Sequence, residues 1–73
     1  MHIEIVRTKS EDYLHYIIRV TADEREEAFT ALEKEVKYRT YGCIPTYKMK
    51  PQVTGELGRF IGRARFSIKD NKS

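Results

Sequence analysis

The sequence predicts an α+β domain with the element order ββαββ, in which a four-stranded, largely antiparallel sheet carries one helix packed on one face. Two observations predict this class. Segments rich in β-branched and aromatic residues stand in both halves of the 73-residue chain, as expected for strands. Between them, apolar residues recur at helical spacing, with acids at the start of the segment and bases at its end. We expect one domain over residues 1–69 and a flexible tail at 70–73.

The first two predicted strands, residues 2–8 and 13–20, form a hairpin around a polar turn at residues 9–12. Alternate residues of a strand point to opposite faces of the sheet. The face that packs on the helix is then expected to carry Ile3, Ile5, Leu14, Tyr16, Ile18 and Val20. Val6 and Ile17 fall on the opposite face.

The predicted helix runs from about Ala22 to Arg39. Thr21 and Glu24 have the spacing of a capping box, in which each side chain satisfies a free backbone amide of the first turn. The apolar stripe that packs on the sheet consists of Ala28, Phe29, Leu32 and Val36.

The second hairpin begins with a short strand at residues 46–50, which two prolines bracket. Its alternation predicts that Tyr47 and Met49 share the core face and that both lysines, Lys48 and Lys50, lie opposite them. A glycine-containing turn at residues 53–58 leads to the last strand, residues 59–69. The core face of this last strand is expected to carry Phe60, Ala64, Phe66 and Ile68.

The formal net charge of +3 is distributed unevenly along the chain. Residues 1–42 contain nine acids and seven Lys or Arg, whereas residues 43–73 contain two acids and seven Lys or Arg. The second part therefore carries the positive charge. This asymmetry indicates an anionic partner, such as nucleic acid, a nucleotide phosphate or an acidic protein surface.

The leading functional hypothesis is a non-enzymatic module that binds nucleic acid or a phosphate-bearing ligand through a basic strand face. Guanidinium groups on alternate strand positions can bind phosphates bidentately, and an exposed aromatic ring can stack on a base. The candidate ligand-binding residues are Arg59, Arg63, Arg65, Lys48, Lys50, Arg19 and Tyr13. The same charges would also serve simply to keep an exposed strand in solution.

The alternative is a protein-interaction or inhibitor module that docks through the exposed sheet face. Val6, Ile17 and Ile61 are the candidate interface residues, because three β-branched side chains on an outer face indicate that something covers them. A homo-oligomer, with a dimer favoured, would do so, and the arginines would then form its rim. The element order is shared with unrelated small proteins, including accessory proteins of phages and mobile elements, but order alone transfers no function.

Enzymatic, metal and membrane functions have little support in the sequence. A small ribonuclease using His15 with nearby arginines is a weaker alternative, and we identify no catalytic residue and no cofactor. Two histidines and one cysteine do not supply the ligands of a zinc site within one chain. The absence of a long apolar segment and of a signal peptide at the first residues predicts a cytoplasmic protein without a membrane partner.

Overall fold

The computed structural model describes residues 1–41 and 47–69, and it confirms the predicted fold class. The elements are β1 (His2–Ser10), β2 (Tyr13–Ala22), α1 (Arg25–Arg39), β3 (Tyr47–Glu56) and β4 (Arg59–Lys69). The predicted tail at 70–73 lies outside the described residues. No helix in the described part of the chain has the length and apolar content needed to cross a membrane.

The four strands form one antiparallel sheet in the order β1-β2-β4-β3. Both predicted hairpins form, and they join through β2 and β4. The predicted bounds of the second hairpin were wrong, because β3 does not stop at residue 50 but stays paired with β4 through most of the predicted turn, as far as Glu56. The register of this central pairing places Ile18 opposite Ala64 and Tyr16 opposite Phe66. Strand alternation then gives one core face and one outer face to the whole sheet.

The core lies between the central strands and one side of α1. Ile18, Val20, Leu32 and Phe66 are its largest fully buried side chains. The rings of Tyr16 and Phe66 stack at 5.0 Å between centroids. As predicted, Ala28 and Val36 are buried with Leu32. Phe29 was expected in the same stripe, but it is 40% exposed and lies at the edge of the helix–sheet interface, because β3 is the last strand on that side of the sheet.

Gly62 lies where α1 crosses β4. A Cβ atom at this position would lie 3.2 Å from Cδ2 of Leu32 and 3.6 Å from the carbonyl oxygen of Ala28. The helix therefore packs closely on the sheet here, and a larger residue would have to displace the Leu32 side chain by a few tenths of an ångström. The helix contacts β2, β3 and β4 but not β1, so Ile5 is only partly buried and Ile3 is exposed although both were expected in the core.

The start of the helix differs from the prediction. Thr21 and Ala22 continue β2, paired with Ile61 and Phe60, and α1 begins at Arg25. Glu24 is the N-cap residue, without a side-chain capping hydrogen bond, so the predicted capping box was wrong. Pairing with β4 gives the backbone at Thr21 and Ala22 its hydrogen-bond partners, so the helix starts later than the local pattern predicted.

Candidate functional site

The outer face of the sheet is the candidate site. It is formed by the even positions of β1 and the odd positions of β2 and β4, together with Gln52, Thr54 and Glu56 of β3. The only helix among the described residues packs on the opposite face. Within the described part of the chain, nothing covers the outer face.

The register brings most of the predicted basic residues together on this face. Arg19 and Arg63 are direct cross-strand neighbours at its centre. Arg65 is the next residue of β4 on the same face, two residues along the chain from Arg63, and lies opposite Ile17. Arg59 is at the far end, next to the β3–β4 turn and opposite Glu56. Tyr13 is at the other end, opposite Lys69 and 39% exposed.

The two predicted lysines of β3 are separated from the arginines by a β-bulge. The register shifts between Met49 and Gln52, so that Lys50 and Pro51 together stand opposite Ala64. Lys50 is exposed. The backbone of Lys48 pairs with Phe66, which is a core position. The structure does not describe the side chains of Tyr47, Lys48 and Met49, so the predicted faces of these three residues lie outside the described part of the chain.

The two central arginines are paired with acids of the same chain. Arg19 donates to the carboxylate of Glu4, its neighbour across the β1–β2 pairing. Nη1 of Arg63 lies 3.4 Å from Oε2 of Glu56 and 3.3 Å from Oγ1 of Thr54. These groups are about half exposed, so each pair adds little stability. Both pairs nevertheless neutralise part of the positive charge on the face.

Arg65 differs from these two arginines. Its side chain is exposed and makes no hydrogen bond or ion pair with any residue in the described ranges. Its neighbours on β4, Arg63 and Ser67, and its cross-strand neighbour Ile17 are not acidic. Among the described residues, Arg65 is therefore a cation without an acid partner.

A polar cluster beside Arg65 was missed by the sequence reasoning. Nδ1 of His15 lies 2.7 Å from Oγ of Ser67, across the β2–β4 pairing. Thr8 pairs with His15 from the other side, and these three residues line a shallow depression of about 300 Å³ with Ile17 and Arg65. Polar alternation along β2 and β4 was visible in the sequence, but the register that brings His15 to Ser67 was not.

The aromatic ring of Tyr13 extends this cluster. It stacks on the ring of His15 with 6.5 Å between centroids and an interplanar angle of 28°. Tyr13, His15 and Arg65 thus follow one another along the middle of the outer face. Such an order combines an exposed aromatic surface with a cation that has no acid partner among the described residues.

The apolar candidates lie at the centre and at one end of the outer face. Val6 and Ile17 are direct cross-strand neighbours, 57% and 46% exposed, respectively. Ile61 is partly buried and lies beyond Arg63, opposite Thr21, so it is not contiguous with the other two. Val6 and Ile17 form a small apolar patch bordered by Arg19 and Arg65.

The polar cluster contains one close pair of side chains, His15 and Ser67, which are in hydrogen-bond contact. No acid of the described residues is hydrogen-bonded to this imidazole as in a catalytic triad. In residues 1–41 and 47–69, no group of three or more His, Cys, Asp or Glu side chains could hold a metal ion. Comparison with protein-family models, curated proteins and solved structures found no match.

Proposed function

We propose that this chain is a small, non-enzymatic, cytoplasmic module that binds nucleic acid through the outer face of its sheet. The observation that carries the proposal is an uncovered sheet face with surplus positive charge. Five cations stand against the acids Glu4 and Glu56, a surplus of three. The cations are Arg19, Arg59, Arg63, Arg65 and Lys69.

The dimensions of the face support a single strand as the ligand. Alternate residues of a strand are about 6.5 to 7 Å apart, which is close to the separation of successive phosphates in an extended single strand. Arg63 and Arg65 have this relationship on β4. Tyr13 offers a ring on which a base can stack, and stacking needs bases that are not enclosed in a duplex.

The charge of the face favours a polyanion over a second copy of the chain. Two outer faces brought together would each contribute their surplus of positive charge. Glu4 and Glu56 offset only Arg19 and Arg63, so stacking would bring the remaining cations, Arg59, Arg65 and Lys69, against like charges. A phosphate backbone instead gains from the same charges and releases counterions when it binds.

A second candidate function is docking of a protein partner with an acidic rim. The observation in its favour is the patch of Val6 and Ile17, two half-exposed apolar residues that are direct partners in the β1–β2 pairing. Arg19 and Arg65 border this patch and would steer an acidic partner to it. This candidate includes the inhibitor or phage-accessory role and the self-association predicted from the sequence.

The first function is tested by fluorescence anisotropy of labelled single-stranded and duplex oligonucleotides at low salt. We expect the single strand to bind more tightly, and the double variant R63Q/R65Q to weaken it. The matched control is K34Q/K37Q, which removes the same charge from the exposed side of α1. Equal weakening by the two double variants, or no binding of any oligonucleotide, would refute the proposal.

The second function is tested by size-exclusion chromatography with light scattering, with and without oligonucleotide. A protein that is dimeric without nucleic acid, and monomeric but folded as Ile17→Asp, would favour docking through the apolar patch. If the unsubstituted protein and Ile17→Asp are both monomeric without oligonucleotide, and the unsubstituted protein elutes as a complex when oligonucleotide is added, the result would favour nucleic-acid binding.

A further inference from the structure

The polar cluster beside Arg65 has the composition of a binding site for one phosphate group. Thr8, His15, Arg65 and Ser67 come from three adjacent strands and line one depression with Ile17. A hydroxyl, an imidazole and a guanidinium are all hydrogen-bond donors, and a phosphate presents several acceptor oxygens to them. No acid lines this depression.

We propose that Arg65, His15 and Thr8 form a phosphate subsite on the outer face, with Ser67 as a positioning residue that orients the imidazole. The inference rests on the proposed function, because the phosphate is taken to be one of those in the bound strand. One phosphate of the bound strand is thereby assigned to Arg65 rather than to Arg19 and Arg63 at the centre of the face.

The ion pairs of the two central arginines support this choice. Arg19 and Arg63 already donate to carboxylates of the same chain, and a phosphate that binds them must displace Glu4 or Glu56. Arg65 has no such partner among the described residues. A charge-assisted bond to Arg65 therefore forms without breaking an existing ion pair.

The hydrogen bond between His15 and Ser67 fixes the ring beside the subsite. In the tautomer with hydrogen on Nε2, the Ser67 hydroxyl donates to Nδ1 and Nε2 can donate to a phosphate oxygen. Ser67 is 8% exposed and held in the central pairing of the sheet, so it offers a fixed anchor. The 2.7 Å separation is that of a direct hydrogen bond.

The test is a titration of the protein with sodium phosphate, followed by two-dimensional ¹H–¹⁵N NMR at constant ionic strength maintained with sodium chloride. We expect saturable shifts of the amide signals of Thr8, His15, Arg65 and Ser67. Arg65→Gln should weaken phosphate binding at least about tenfold, as expected for loss of a charged hydrogen bond. Arg63→Gln is the matched control on the same strand and face, and should change it less than about threefold.

The role of Ser67 is tested by a readout that simple loss of packing would not move. In Ser67→Ala, the ¹⁵N chemical shift of Nδ1 in the His15 ring should change, because this nitrogen loses its hydrogen-bond partner, and phosphate binding should weaken. An unchanged Nδ1 shift, or unchanged phosphate affinity, would refute the positioning role.

The subsite and the proposed function fail in different ways. If an oligonucleotide binds but phosphate gives no saturable shift, or R65Q and R63Q weaken phosphate equally, the subsite is wrong and the nucleic-acid function stands. If phosphate binds as expected and no oligonucleotide binds, the subsite stands for small phosphates alone. If neither ligand binds, both proposals are wrong.

Discussion

Nδ1 of His15 and Oγ of Ser67 are 2.7 Å apart although 52 positions separate the two residues in the chain. The contact crosses the pairing of β2 with β4, the only pairing that joins the two hairpins. The depression that we assign to phosphate therefore combines residues of both hairpins. It forms only when β1, β2 and β4 are paired.

Ile17 and Ile18 should respond differently to the same substitution. Ile18 is fully buried on the core face, and Ile17 is 46% exposed on the outer face. Ile18→Thr should lower the free energy of unfolding by about 2 to 4 kcal/mol, because it leaves a cavity and buries a hydroxyl. Ile17→Thr should change it by less than about 1 kcal/mol. Urea denaturation measures both, and similar losses would contradict the assignment of the two faces.

Gly62→Ala should destabilise the fold through Leu32. The added Cβ would lie 3.2 Å from Cδ2 of Leu32, and overpacking of this kind costs about 1 to 3 kcal/mol. Leu32→Val removes the Cδ atoms, so the cost of Gly62→Ala should be smaller in that background. A double-mutant cycle from urea denaturation measures the coupling. Additive effects would show that the helix does not approach the sheet at Gly62.

Leu57→Asn should stabilise the β3–β4 hairpin. Leu57 and Gly58 form its two-residue turn with φ values of 49° and 77°, and type I′ turns of this kind favour Asn-Gly. Leu57 is fully exposed, so its replacement sacrifices no packing. We expect a gain of about 0.5 to 1 kcal/mol, measured as a higher midpoint of thermal unfolding. The companion variant Gly58→Ala should lower that midpoint, and a lower midpoint for Leu57→Asn would contradict the turn geometry.

The affinity for a single-stranded oligonucleotide should fall as salt rises. If the surplus of three positive charges on the outer face is neutralised by phosphates, the logarithm of the association constant should fall with the logarithm of salt concentration with a slope of about −2. Arg65→Gln should make that slope shallower by about 0.7. Anisotropy titrations at several salt concentrations measure it, and a slope near zero would indicate that phosphates are not the contacted groups.

The strands, their alternation and the helix could be predicted from local patterns. Phe66 and Ile18 are in the core, and Val6 and Ile17 are on the outer face, because strand alternation fixes which residues share a face. Helix capping was less predictable. The local signal of Thr21 and Glu24 was overridden by pairing of β2 with β4, a contact between distant parts of the chain.

The candidate site depended on information that no local pattern contains. Neither the strand order nor the register follows from alternation alone, so the sequence did not reveal that Ser67 meets His15 or that Glu4 meets Arg19. In the sequence, Ser67 is only a polar residue between the cations Arg65 and Lys69 on one face of the last strand. The bulge between Met49 and Gln52 likewise depends on the pairing of β3 with β4.

The central claim is that the outer face of the sheet binds nucleic acid. Two-dimensional NMR of the ¹⁵N-labelled protein, titrated with a single-stranded oligonucleotide, tests this claim most directly. We predict saturable changes at Val6, Ile17, Arg63 and Arg65, on the uncovered side of the sheet. The signals of Ala28 and Leu32, which are buried on the core side, should remain unchanged. Changes confined to α1, or no change at low salt, would contradict the account.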